Sequence, residues 1–282
     1  MNALVIKNLS KAYKGFKLDN ISLTLPKGCI MGLIGENGAG KTTTIKLILD
    51  TIKRDSGSIE VLGGDNLINF KERKEDIGVV LDQAYFPDSF TVKHVNLVMK
   101  NTYKRWDQDL FYSYIQKMSL PENKAFKDFS RGMKMKLAIC VALSHEAKLL
   151  ILDEATSGLD PIARDEVLNI LYDYTRQEDH SILISSHIVS DLEKLCDYIA
   201  FLHKGRLLFC EEKDILLEKY GILKCSAADF EAIDPKAVHG ARKNNYCIEA
   251  LVDTSMIPSS MPVDRASIED IIIFLAKEGM ER

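Results

Sequence analysis

Residues Gly35 to Asp50 read "GENGAGKTTTIKLILD", and "CIMGLI" (29–34) runs directly into them. The six residues before the glycines form a short apolar run, as expected of a strand buried on both faces. The residues after Lys41 carry helical periodicity. A strand, a glycine-rich turn and a helix in that order build a concavity of backbone N–H groups at a helix N-terminus, which is an anion site. The spacing Gly35-x4-Gly40-Lys41-Thr42 fits the phosphate-binding loop pattern in full. On that pattern Gly35, Asn37, Gly38, Ala39 and Gly40 cradle phosphates and Lys41 reaches the β- and γ-phosphates. Thr42 offers its hydroxyl to Mg2+, and Thr43 touches a phosphate nearer the sugar.

Working outward, "KLLILDEA" (148–155) is a second buried strand. It delivers Asp153 and Glu154 at its C-terminal end, where parallel sheets bind ligands. Asp153 suits Mg2+, through water, and Glu154 suits polarising an attacking water, help worth ~10²–10⁴ in rate. "SILISS" (181–186) is a third buried strand. "ISLTL" (21–25) alternates apolar and polar residues, and "GSIEVLGGD" (57–65) repeats a strand-then-glycine pattern. Residues 88–145 read as helical, 161–178 as a helix with Pro161 in its first turn, and "IAFLHKGRLLF" (199–209) as a hairpin about Lys204–Gly205. Ser190 with Glu193 and Ser267 with Asp270 are candidate helix caps. The fold expected is α/β: a mostly parallel sheet with an antiparallel β layer at the N-terminus, over 1–210, and a helical subdomain at 88–145. A small α+β accessory domain follows at 211–282, with a strand near "YCIEALV" and a closing helix.

Composition narrows the class. Of 282 residues, 46% are hydrophobic, enough for a packed core, and the net charge of -4 argues against nucleic acid as a partner. Six scattered cysteines without a Cys-x-x-Cys pair fit a reduced, cytoplasmic setting. No run is long enough to span a bilayer, so a membrane role requires a partner.

"GENGAGKTTT", "FSRGM" (129–133), "LLILDEATSGLDP" (149–161) and "SSH" (185–187), in that order, resemble the nucleotide-binding subunit of an ABC transporter over about residues 3–215. The resemblance implies a Mg-dependent P-loop ATPase. It identifies Tyr13 as the aromatic that stacks on adenine, and Gln83 as the glutamine that reports γ-phosphate and Mg2+ to the transport partner. Asp160 links two ATP sites, and His187 contacts the γ-phosphate and helps place the attacking water. Lys41, Gln83, Glu154 and His187 are thus the catalytic set, and Thr42, Gln83 and Asp153 the metal set. Ser130 and Gly132 keep the family's signature for the nucleotide of a second copy. The departure from the usual Leu-Ser-Gly-Gly-Gln falls at Arg131 and Met133, and "SRGMKMKL" resembles a variant of bacterial export-type subunits. A dimer around two ATP molecules, with a second copy of the chain or with a similar ATP-binding subunit, and a separate integral membrane permease at the inner face of the cell membrane are therefore expected. Gln83, Tyr85, Phe86 and Pro87 are the candidate docking surface. Two other readings compete with this one. One is a soluble ABC-type ATPase acting as an ATP-gated binding or regulatory module, but such proteins carry two ATPase halves or a long coiled-coil insertion, and neither is present. The other is a P-loop kinase or GTPase, and no Asn-Lys-x-Asp base-reading motif occurs.

Overall fold

The computed structural model describes residues 1–83, 86–244 and 247–281, the last five of these (277–281) by backbone alone. An antiparallel layer opens the chain: β1 (Asn2–Tyr13) and β2 (Phe16–Pro26) form a hairpin, and β4 (Ser56–Val61) and β5 (Gly64–Asp65) extend it on the β1 side. Between them come β3 (Ile30–Ile34) and α1 (Lys41–Ile48). A six-stranded sheet forms the centre. It joins β3 to β6 (Ile77–Val80), β7 (Leu149–Asp153), β8 (Ser181–Ser186), β9 (Tyr198–His203) and β10 (Arg206–Glu212), in the order β10-β9-β3-β8-β7-β6. Every pairing is parallel except the β9–β10 hairpin, which turns at Lys204–Gly205 as the sequence predicts.

The central strands read as continuous apolar runs because both faces are covered. Leu149, Ile151 and Leu183 point toward the antiparallel layer and α1, where they meet Ile45, Ile48 and Leu4. Their neighbours Leu150, Leu152, Ile182 and Ile184 point the other way, into a second core. That core is closed by α5 (Arg131–Leu143), α6 (Pro161–Tyr174) and α7 (Val189–Leu195). Two short segments, α2 (Phe70–Arg73) and a turn of 3-10 helix, lead into β6.

Residues 88–145 are helical as expected, with α3 (Val92–Thr102) and α4 (Gln108–Lys117) preceding α5. Polar bonds tie them: Trp106 Nε1 donates to Asn96 Oδ1 (2.8 Å), and Asn96 Nδ2 donates to Gln108 Oε1 (3.2 Å). Two expectations need correction. α6 ends at Tyr174, where the apolar spacing gives way to a polar run. Ser190 and Glu193 do not cap α7: the helix starts at Val189, and it is Ser186 Oγ that accepts the Ile188 N–H.

After α8 (Lys213–Lys219) the chain forms a third sheet. Its strands are β11 (Tyr220–Cys225), β12 (Val238–Lys243), β13 (Ile248–Asp253) and β14 (Val263–Arg265), in the order β12-β13-β11-β14, and α9 (Ala227–Glu231) lies between β11 and β12. The strand read at "YCIEALV" is β13. Ile222 and Leu251 face the second core, together with Ile268, Ile271 and Phe274 of α10 (Ile268–Glu281). Leu223, Ala250 and Val252, on the opposite face, fill a small core of their own. Ser267 and Asp270 cap α10 reciprocally, as expected: each side chain accepts the other's backbone N–H at 3.1 Å. All six cysteines are free thiols.

Candidate nucleotide site

The phosphate loop leaves β3 at the C-terminal edge of the central sheet. Gly38 (φ 84°) and Gly40 (φ 113°) take left-handed backbone that a side chain would strain, and they turn the chain back into α1. The loop is braced from below, where Gly205 N–H donates to Ala39 O at 3.0 Å. The resulting cavity holds about 540 Å3, within the roughly 300–1,000 Å3 of small-molecule sites. Asn37, Gly38, Gly40, Lys41, Thr42, Thr43 and Glu154 all line it. Gly35 and Ala39 are buried beneath.

Three elements converge on its floor. Lys41 is 6% exposed; its Nζ donates to Gly35 O (2.7 Å) and lies 3.3 Å from Glu154 Oε1. The second contact is ionic only, because Oε1 has no aligned hydrogen-bond donor. Thr42 Oγ1 donates to Asp153 Oδ2 at 2.8 Å, and Ser185 Oγ donates to Asp153 Oδ1 at 2.5 Å. Asp153 and Ser185 are register partners on β7 and β8, so the sheet itself brings them together. Glu154 is the first residue beyond β7 and has φ 54°, a conformation costing on the order of 1–3 kcal/mol for a side-chain-bearing residue. Its N–H donates to both Ser185 O and Ser185 Oγ at 3.1 Å, which holds that turn. The turn aims the carboxylate at Lys41 on one side. On the other, Glu154 Oε2 meets His187 Nδ1 at 2.6 Å.

The remaining expected residues fall around this centre. Tyr13 is exposed at the end of β1 and does not line the cavity, whereas its cross-strand partner Phe16 does. Gln83 lines a neighbouring groove of about 490 Å3 with Phe86 and Phe126. Pro87 is exposed; Phe86 is half-buried, edge-on to Phe126 at 5.5 Å; Tyr85 lies outside the described residues. Ser130 and Gly132 line a separate cavity that also contains Asp160. The Ser130 and Asp160 side chains there serve as helix caps: Ser130 Oγ accepts the Met133 N–H, and Asp160 Oδ1 accepts those of Ile162 and Ala163. The Ala163 and Ile162 N–H donors hold the Asp160 carboxyl below the usual range. The sequence reading missed Phe16, Ser185, Asp82, Ser157 and the reach of Arg131 to the phosphate cavity.

The family model described as ABC transporter matches residues 18–157, which includes the loop, Gln83, Ser130, Asp153 and Glu154. Among relatives, the ABC transporter ATP-binding protein YtrB of Bacillus subtilis (strain 168) is 34% identical over 216 residues, spanning 76% of this chain and 74% of the relative. The chain belongs to the ABC transporter ATP-binding proteins. Two further relatives of this ATP-binding protein are named for antibiotic transport. The bacitracin transport ATP-binding protein BcrA of Bacillus licheniformis is 36% identical, covering 71% of this chain and 67% of its own. The lantibiotic transport ATP-binding protein SrtF of Streptococcus pyogenes is 35% identical, covering 75% and 91%. A solved ATP-binding subunit of an ABC transporter superposes with TM-score 0.69 at 26% identity, over 76% of this chain and 91% of that one. A dimeric cassette bound to ADP and Pi shares the fold, with TM-score 0.67 at 20% identity, over 74% of this chain and 98% of that one. Among the described residues no helix is long and apolar enough to cross a membrane.

Proposed function

We propose that the chain binds Mg-ATP at the Lys41 pocket and hydrolyses it to drive a separate integral membrane permease, as an exporter of the antibiotic-transport kind its relatives suggest. The observation that carries this reading is the convergence of Lys41, Thr42–Asp153 and Glu154–His187 at one sheet edge. Lys41 and the loop N–H groups grip the phosphates, replacing the Gly35 and Glu154 contacts of the lysine. Thr42 and Asp153 supply two oxygens, a set suited to Mg2+, which binds few protein ligands beside phosphate and water. The ion would neutralise charge on the transferring phosphoryl group. Glu154 accepts a proton from the attacking water, and His187, bonded to its other oxygen, fixes the carboxylate's direction and contacts the γ-phosphate. Gln83 reports the γ-phosphate to the groove where the permease docks.

Ser130, Gly132 and Asp160 line a cavity separate from this pocket, and Ile162 beside them is 75% exposed. That supports a second copy, head to tail, whose signature residues seal each nucleotide. The chain then works at the inner face of the cell membrane, held there by the permease. Copurification of the native complex tests the reading: a multi-span membrane protein whose presence raises ATP turnover supports it. A purified complex with no membrane protein, and turnover unaffected by Lys41→Ala, would overturn it.

A further inference from the structure

The signature segment is split between two sites. Ser130 and Gly132 line the outward cavity, while Arg131 between them also lines the phosphate pocket of its own chain, beside Lys41, Thr42 and Glu154. The arginine stem follows a defined course across Gly158: a Cβ on that glycine would lie 3.1 Å from Cδ and 3.2 Å from Nε. No ion pair or hydrogen bond joins the guanidinium to another described residue. The charges around the pocket need it. Besides Arg131 the lining carries one cation, Lys41, against the carboxylates of Glu36, Asp82 and Glu154. Arg131 thus offsets part of the negative charge that a triphosphate would meet there, beside the Mg2+ that Thr42 and Asp153 would hold.

We propose that Arg131 binds nucleotide in cis, its guanidinium pairing with the phosphate chain of the ATP held by Lys41 and Thr42 of the same chain. The inference rests on the ATP reading of that pocket and adds a contact made before any second copy arrives. Guanidinium suits phosphate because its planar fork donates two parallel N–H bonds.

The test is the affinity of a fluorescent ATP analogue for the full chain at dilutions where it is monomeric. Arg131→Gln weakens binding about three- to tenfold, as an exposed ion pair should, and lowers its salt dependence. Arg131→Lys restores part of the loss, and Ser130→Ala leaves monomer affinity unchanged. If Arg131→Gln binds like the wild type while Lys41→Ala does not bind, the cis role is refuted and the ATP site stands. Equal losses for Arg131→Gln and Ser130→Ala, appearing only at dimer-forming concentrations, refute it in favour of a contact across copies. A wild-type chain that binds no nucleotide removes the site reading itself.

Discussion

Ser185→Ala removes one hydroxyl from the floor of the site and tests how Asp153 is held. Asp153 is 1% exposed and its two oxygens each have one side-chain donor, Thr42 on Oδ2 and Ser185 on Oδ1. Alanine keeps the strand and the backbone bond from Glu154 N–H to Ser185 O, so the loss is confined to Oγ. A hydrogen bond to a charged group contributes about 1.5–3 kcal/mol, and an oxygen left buried without a donor keeps that cost. Unfolding in denaturant should therefore show a loss of about 1.5–3 kcal/mol with unchanged slope. If Asp153 holds Mg2+ as proposed, the same bond would orient its carboxylate toward the ion, and removing such an outer partner typically costs about 10- to 100-fold in metal affinity or activity. ATP turnover titrated with Mg2+ should need correspondingly more metal for half-maximal rate, and Ser185→Thr, which keeps the hydroxyl, should recover part of both effects. Unchanged stability together with an unchanged Mg2+ midpoint would refute the reasoning.

Other predictions follow from the same geometry. Glu154→Gln should slow hydrolysis by ~10²–10⁴ in a turnover assay while tightening ATP binding, because its carboxylate no longer competes with phosphate for the nearly buried Lys41. Gly205→Ala should destabilise the fold by about 1–3 kcal/mol and weaken nucleotide binding, since a Cβ there collides with the Lys17 carbonyl oxygen and the turn braces Ala39; calorimetry and the ATP titration read both. Burial pulls the imidazole of His145, stacked on Tyr103, below its ordinary value of 6.5, so the unfolded chain takes up a proton that the folded chain refuses. Stability is then full above about pH 6.5 and falls below it. His145→Phe should flatten the fall in melting temperature between about pH 7 and 5, though not abolish it, because burial shifts His180 the same way.

Much of the nucleotide site was legible because its signals are local. The apolar run of β3, the glycines and Lys41 lie within thirteen residues, and β7 announces Asp153 and Glu154 by its own hydrophobicity. What escaped depends on pairing between distant segments. Ser185 looks like an ordinary strand residue until the β7–β8 register sets it against Asp153. Tyr13 and Phe16 sit opposite one another across a hairpin, and nothing in a three-residue spacing says which ring turns toward the loop. In the C-terminal sheet, β12 and β14 are short and carry Lys243, Arg242, Asp264 and Arg265, so neither shows a clean alternation. β11 shows an apolar run because its two faces serve two cores, and that reads equally well as the end of a helix. Asp160 and Ser130 show the reverse case: their capping roles are local, but the cavity they share is set by how α5 packs beside α6.

The central claim is that one chain holds the phosphates and a second copy closes over them. Sedimentation of Glu154→Gln with Mg-ATP addresses it directly. The account predicts a dimer holding two ATP, which dissociates when Ser130 is also replaced by a bulky residue. A chain that stays monomeric under saturating Mg-ATP would contradict it.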